Sequence, residues 1–396
     1  LTGVLLLGSG GVGSVAAAHM ARCREIDRVV VGDVAPGRAK ALASSLGSDK
    51  LEGREVDASD PRALRLALKG IDLAINAAHA AFDLPLMGAC LEMGVNYMDL
   101  SSMPEAQLPQ DGLWKDAGLF ALIGVGEDPG ISNALARYAS GGMEEVEAIR
   151  IRDADVVLTD QYPLASPWSP DTFLAEVFTP PIYWDRGMKK VPPLSGREVY
   201  TFPDPVGPRT VYLMEHEEPV TLPHFIPGVA YCDLKLFVDD RTLANITFLN
   251  SLGLLSRDPI EVKGAKVAPR DLLLTLLPQP VDLAGKVDGH SMLVVEVAGV
   301  QGGEKVVRRL WTGISHHEAF SVHNATATAY MTGTGTGIFA TMFARGLIRG
   351  PGVIAPECLD PGPVLLLMEE MGIPAKEEVR VFRDPTGKAQ RTGNHK

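Results

Sequence analysis

A short apolar run, Val4–Leu7, leads directly into Gly8-Ser9-Gly10-Gly11-Val12-Gly13, and a stretch of small residues from Ser14 to Arg22 follows with helical spacing. Few features constrain a fold more. The pattern G-x-G-x-x-G between a strand and a helix uses Gly8 for a tight turn, Gly10 for close approach of the backbone to a pyrophosphate, and Gly13 to pack the helix on the sheet. Gly11 and Val12 complete the loop. A helix that starts there aims its unpaired N–H groups and the positive end of its dipole at the same place. The first expectation is therefore a dinucleotide-binding unit of Rossmann type.

The following residues keep that rhythm. Apolar runs at 28–31, 54–56, 73–77, 96–100 and 119–125 read as strands, and 38–46, 63–68 and 84–93 read as helices. Continuous apolar strands alternating with helices predict an α/β fold, a doubly wound parallel sheet covered on both faces. The pattern changes after Pro129. From 153 to 227 the chain is dense in proline and aromatic residues, which disfavours long helices. Alternation at 149–152 and the run 292–297 predict strands of a second, α+β domain whose sheet has one solvated face. From about His323 the pattern is helical again. Gly333, Gly335 and Gly337 resemble a phosphate loop, but no buried strand leads into them, so close helix packing is the expectation. The predicted division is a Rossmann domain at 1–130, a substrate-binding and dimerisation domain at 131–322, and a segment at 323–396 that returns to the first.

Composition narrows the function. With 37 Lys and Arg against 49 Asp and Glu, the formal charge is −12, which disfavours nucleic-acid or anionic-membrane partners. The four cysteines, Cys23, Cys90, Cys232 and Cys358, have no paired spacing and read as reduced thiols. No apolar stretch reaches membrane-spanning length. The opening residues read as a first strand and not as a signal peptide, and a cytoplasmic enzyme follows by default.

Asp33 closes the second predicted strand, about 20 residues past the loop, where a carboxylate accepts hydrogen bonds from the adenosine ribose. That favours NAD over NADP, with nearby Arg38 able to soften the preference. Asp57 and Ala58 end the third strand, where Asp57 either meets the adenine or helps to start the helix at Pro61. Asn76, Ala77 and His79 end the fourth strand, beside the expected nicotinamide. His79 either carries a proton or is a plain loop residue.

Together with the glycine loop and Val56-Asp57-Ala58-Ser59, three further motifs occur in one order: Asn96-Tyr97-Met98-Asp99-Leu100-Ser101, Gly126-Glu127-Asp128-Pro129-Gly130-Ile131-Ser132-Asn133 and Trp168-Ser169-Pro170. The chain resembles the saccharopine dehydrogenase-like family, which includes saccharopine reductases, lysine 6-dehydrogenases and carboxynorspermidine dehydrogenases. The C-terminal stretch from Gly350 to Glu357 resembles it too. The resemblance implies two domains, a homodimer, and reversible hydride transfer between NAD and the carbon bearing an amine. Chain length and Trp-Ser-Pro look most like the lysine branch. Asp128 before Pro-Gly looks more like the saccharopine and carboxynorspermidine branches, and Tyr231-Cys232-Asp233-Leu234-Lys235 departs from the lysine branch. The reading is an NAD-dependent oxidoreductase acting on a CH–NH or CH–NH2 group of an amino-acid-like substrate, most like lysine 6-dehydrogenase or saccharopine reductase. One alternative is a carboxynorspermidine-type polyamine reductase. Another is an NAD-binding protein without catalysis.

Oxidising an amine removes a hydride from carbon and a proton from nitrogen, and the proton needs a base within reach. Asp128, just past the sixth strand, is the candidate catalytic residue, with helix capping as its alternative role. Trp168 walls the pocket or anchors a domain contact. Tyr97 and Asp99 reach the substrate or hydrogen-bond at the strand end. Arg209 and Lys235 are candidates for holding a substrate carboxylate. No metal is expected: on a strand, His316 and His317 of His316-His317-Glu318 would point to opposite faces.

Overall fold

A computed structural model describes residues 2–166 and 168–382. Six strands follow the expected order: β1 (Gly3–Leu7), β2 (Arg28–Asp33), β3 (Leu51–Glu55), β4 (Leu73–Asn76), β5 (Asn96–Asp99) and β6 (Phe120–Leu122). A seventh strand, Gly352–Ile354, comes from far along the chain. The sheet runs Gly352–Ile354, β6, β5, β4, β1, β2, β3, with every pair parallel. Side chains of a strand alternate between faces. On β1, Val4 and Leu6 join a core with Val15, Met20 and Met331, while Leu5 and Leu7 join another with Leu64, Leu86 and Trp114. Both faces are therefore buried, as a doubly wound sheet requires. The strand order reverses between β1 and β4, and ligands bind at such a switch point.

The loop after β1 opens helix α1 (Gly11–Arg22), and α1 packs along helix Ala327–Ala344. The expected close packing is explicit. A Cβ added at Gly333 would lie 2.6 Å from Val15 Cβ and 2.7 Å from the Val12 carbonyl oxygen, and one at Gly337 would lie 2.6 Å from His19 Cβ. At Gly335 it would collide with the Gly126 carbonyl oxygen.

The second sheet is nine-stranded and mixed. Its path runs Glu198–Thr201, Pro208–Leu213, Tyr231–Phe237, β7 (Glu145–Leu158), Asp288–Gln301, Glu304–Ser315 and Lys376–Phe382, and Tyr231–Phe237 pairs with β7 in parallel. Three expectations need correction. The face expected to be solvated is covered at its centre, where Ala154, Val156 and Val294 pack under Phe202 and Val206. Arg152 on that strand is 2 % exposed and tolerates burial because it donates to Asp233 (2.8 and 3.1 Å) and Glu198 (3.1 Å). The segment from 323 returns to the first domain only in part, because Lys376–Phe382 pairs with Glu304–Ser315 at the edge of the second sheet. His316 and His317 begin helix His316–His323, capped by Ser315, and do not lie on a strand.

The glycine packing gives a diagnostic sign. On an open helix surface, Gly→Ala stabilises by about 1 kcal/mol. Gly333→Ala should instead destabilise, by roughly 1–3 kcal/mol of overpacking. Urea unfolding checks this, and a raised midpoint would contradict it.

Candidate active site

A cleft of about 470 Å³ opens between the two sheets at the carboxyl ends of the parallel strands. Gly10 to Gly13, Arg38, Ala77 and Ala78 line its first-domain side. Gly8 takes φ +104°, and a Cβ there would lie 2.5 Å from the Ala77 carbonyl oxygen. A Cβ at Gly13 would collide with the Gly8 carbonyl oxygen. Gly10 differs: nothing lies within 4 Å of its Cβ position. The protein thus leaves open space over Gly10, at the start of α1, where the first helical N–H groups lack intrahelical partners. That cradle fits a pyrophosphate.

Asp33 ends β2 beside the loop. Its Oδ2 accepts from Ser9 N (3.1 Å), Ser9 Oγ (2.5 Å) and Arg38 Nη2 (2.9 Å), and its Oδ1 from Ala35 N (2.9 Å). Burial pushes the carboxyl up, but these donors outweigh it and hold it below the ordinary aspartate value. The other expected cofactor residues divide. Ala77 lines the cleft. Asp57 is exposed, accepts from Ser59 N and Oγ (2.8 and 2.6 Å), and with Ala58 lies outside the cleft lining; Asp60 caps the helix at Pro61. Asn76 is buried and donates to Asp83 (2.6 Å). His79 has a half-exposed side chain whose Nδ1 accepts from Ala81 N (3.1 Å).

Tyr97 and Asp99 adopt the strand-end arrangement. Tyr97 donates to Asp83 (2.9 Å), and Asp99 accepts from Gln107 (2.5 Å) and Gly124 N (2.7 Å). Their neighbours Leu100 and Ser101 reach the cleft instead. Arg209 and Lys235 do not line it. Arg209 lies over the Phe237 ring at 5.7 Å, and Lys235 pairs with Glu198 at 2.6 Å.

On the second-domain side, Asp128, Asp153, Asp155, Trp168, Glu176 and His216 converge. Asp128 is not a helix cap: helix Ile131–Ser140 has Gly130 at its N-cap, and Asn133 Oδ1 accepts the Gly130 N–H (2.9 Å). Asp128 Oδ2, Asp153 Oδ1 and Asp155 Oδ1 are buried without a hydrogen-bond partner among the described residues. Burial pushes all three carboxyls up, and neighbouring carboxylates push Asp128 and Asp153 further. Asp155 rises to about 6. Glu176, which accepts from Trp168 Nε1 (3.0 Å), is pushed by burial to about 7. Burial opposes a charge on His216, but Glu218 at 2.7 Å and Glu217 at 3.2 Å overcome it and hold the ring protonated. These last three residues lie close enough for a metal, with candidate ligand atoms within 4.8 Å, but their contacts to one another account for the arrangement.

Sequence reasoning missed Asp153, Asp155, Glu176 and His216. The available signal was Asp153-Ala154-Asp155, which puts two acids on one face of a strand otherwise apolar there.

The sequence matches the saccharopine dehydrogenase NADP binding domain over residues 4–122 and the saccharopine dehydrogenase C-terminal domain over 126–373. The chain belongs to the saccharopine dehydrogenase family. Carboxyaminopropylagmatine dehydrogenase of Synechocystis sp. is 30 % identical over 390 residues, 95 % of this chain and 97 % of that one. Carboxynorspermidine synthase of Vibrio cholerae is 29 % identical over 397 residues, covering 93 % and 95 %. Apo saccharopine dehydrogenase (L-Glu forming) of Saccharomyces cerevisiae shares the fold with TM-score 0.74 at 18 % identity, covering 96 % of this chain and all of that one. This member of the family is a nicotinamide-dependent amine dehydrogenase. Among its described residues no helix is long and apolar enough to cross a membrane.

A nicotinamide cofactor, when bound, would supply the hydride chemistry. For such a cofactor the open space over Gly10 would receive the pyrophosphate, the Asp33 carboxylate would face the ribose, and the acids would lie on the opposite wall. Because a Cβ at Gly10 would have nothing within 4 Å, Gly10→Val should leave the fold intact and block the cradle. Calorimetry should show NADH affinity lost with the melting temperature unchanged. Unchanged affinity would make the loop purely structural.

Proposed function

We propose that the enzyme makes a carboxylated polyamine, of the kind that the names of the carboxyaminopropylagmatine and carboxynorspermidine relatives contain, by reductive joining of a polyamine amine to an amino-acid aldehyde. One observation carries this reading. The second-domain wall presents Asp128, Asp153 and Asp155 with buried oxygens that lack partners, and Arg38, on the first-domain side, is the one Lys or Arg among the described cleft residues. Leaving a carboxylate buried and unpaired is costly, and a cation with several ammonium donors would satisfy three at once. A mainly anionic substrate would meet repulsion there.

The chemistry assigns work to these side chains. Amine and aldehyde condense with loss of water to an iminium, whose reduction gives the secondary amine. The amine must first lose a proton to expose its lone pair. Asp128 is the base in this scheme: burial raises its carboxyl well above the ordinary aspartate value, which favours taking up a proton, and protonated His216 beside it stabilises its charged form. His216 also offers the charge that a substrate carboxylate needs, the role expected of Arg209. Trp168 excludes water from this wall. Asp33 supports NAD over NADP, and the exposed Arg38 side chain, 67 % accessible, supports some NADP tolerance. The same reading includes a homodimer in the cytoplasm, where this cofactor is supplied.

The test follows NADH and NADPH absorbance against diamines or agmatine with an amino-acid semialdehyde, and against saccharopine and lysine. Turnover should be largest with the polyamine pairs, and faster with NADH by about tenfold or more, which corresponds to about 1.4 kcal/mol. Dominant saccharopine or lysine turnover would overturn the reading. Asp128→Asn keeps the shape and one acceptor, so turnover should fall by roughly 10²–10⁴-fold with NADH affinity and melting temperature little changed. A stable variant with near-normal turnover would remove Asp128 from the mechanism.

A further inference from the structure

A second, smaller cavity adjoins the cleft at Trp168, and we propose that it receives the distal ammonium group of the amine substrate. The proposal rests on the polyamine reading above and adds where the far end of that molecule sits. The cavity holds about 20 Å³, the space of one water or one ammonium group. Trp168 and Asp155 line both it and the main cleft. The indole therefore forms a partition, and Asp155 can serve both sides of it.

The walls suit a cation. Phe173 meets Trp168 edge to face, with ring centroids 5.3 Å apart, and Phe237 also lines the space. Aromatic faces attract cations, more strongly where water is excluded. Asp155 is 8 % exposed, and its buried Oδ1 lacks a partner among the described residues. Asp239 supplies a second carboxylate; its Oδ1 accepts the Thr242 N–H (3.0 Å) as a helix cap. Arg241 is the opposing charge, but it is exposed and donates to the Thr159 carbonyl oxygen (3.2 Å). The more buried charges are thus negative. A monoamine of the same length would leave Asp155 unsatisfied, so the cavity selects substrates with a second positive end.

Steady-state kinetics with the full-length enzyme, NADH and a fixed aldehyde tests this. The comparison is between an α,ω-diamine, a guanidino-amine and a monoamine of matched length. Wild type should prefer a doubly charged amine in kcat/KM by roughly 30-fold or more, the range for one partner of a buried charge pair. Ala165→Leu fills the cavity from a loop position, and should erase that preference through KM while leaving the monoamine KM unchanged. Asp239→Asn keeps the helix cap, since Asn caps as well as Asp, and should reduce the preference. Arg241→Ala should keep or raise it. The diamine should lose more than the guanidino-amine in Ala165→Leu, because the space takes an ammonium and not the larger guanidinium. If wild type shows no preference for a second charge, the polyamine reading itself fails. If wild type shows the preference and both Ala165→Leu and Asp239→Asn retain it, that reading stands and this cavity is not its seat. A preference lost in Arg241→Ala would mean that the cavity takes an anion, and would overturn the proposal.

Discussion

The close approach of α1 to helix Ala327–Ala344 is the contact on which the site depends. Without the glycines at 333 and 337 the two helices could not lie backbone against side chain, as the 2.6 Å approach at a Gly333 Cβ shows, and Gly335 lets the same helix lie against Gly126. The consequence is positional. The same helix carries Thr328, Ala329 and Thr332 into the cleft, and α1 opens with the phosphate loop. Cofactor cradle and substrate wall are therefore fixed across one well-packed contact, with seventh strand Gly352–Ile354 completing the first sheet behind it. Strand Lys376–Phe382 then crosses back to the second sheet, so three backbone passages, at 129–145, 316–327 and 373–376, join the halves.

The second-domain wall is locally unfavourable by design of its residues. Buried carboxyls pushed above their ordinary range, with oxygens lacking partners, oppose folding unless they hold protons or meet a cation. Structural acids elsewhere in the chain behave differently. Asp233 is 1 % exposed but pairs with Arg152, and Asp171 pairs with Arg257 and Arg270. The contrast separates acids paired within the fold from acids with partnerless oxygens, for which the proposed cation would be the partner. Trp168 links the two halves of this wall, through its hydrogen bond to Glu176 and its place beside Asp155.

Much of this was legible in the sequence where the physics is local. The glycine loop, Asp33 and the strand–helix alternation are read from spacing alone, because turn geometry and periodicity are properties of short segments. Asp128 and Trp168 were found through motifs, and both reach the cleft. Legibility ended where contacts are non-local. Asp153 and Asp155 become site residues only because β7 runs past the cleft, and His216 only because the stretch after Pro208–Leu213 ends beside it. Tyr97 and Asp99 sat in a conspicuous motif, but Asp83 and Gln107 take up their polar groups. The solvated face expected for the second sheet failed because Phe202 and Val206, from a distant proline-rich stretch, cover it.

If the wall acids bind a polycation, that binding is linked to their protons. In the free enzyme burial raises Asp155 to about 6 and Glu176 to about 7, so both carry protons over part of the acidic range. A bound cation favours the charged carboxylates and lowers those values, so binding must expel protons and tighten as pH rises through them. Calorimetric titration of the NADH-bound enzyme with a diamine, in two buffers of different ionisation enthalpy between about pH 6 and 8, measures the proton count. The account predicts net proton release near pH 6.5 and affinity that climbs with pH. Proton uptake, or binding indifferent to pH across that range, would contradict it.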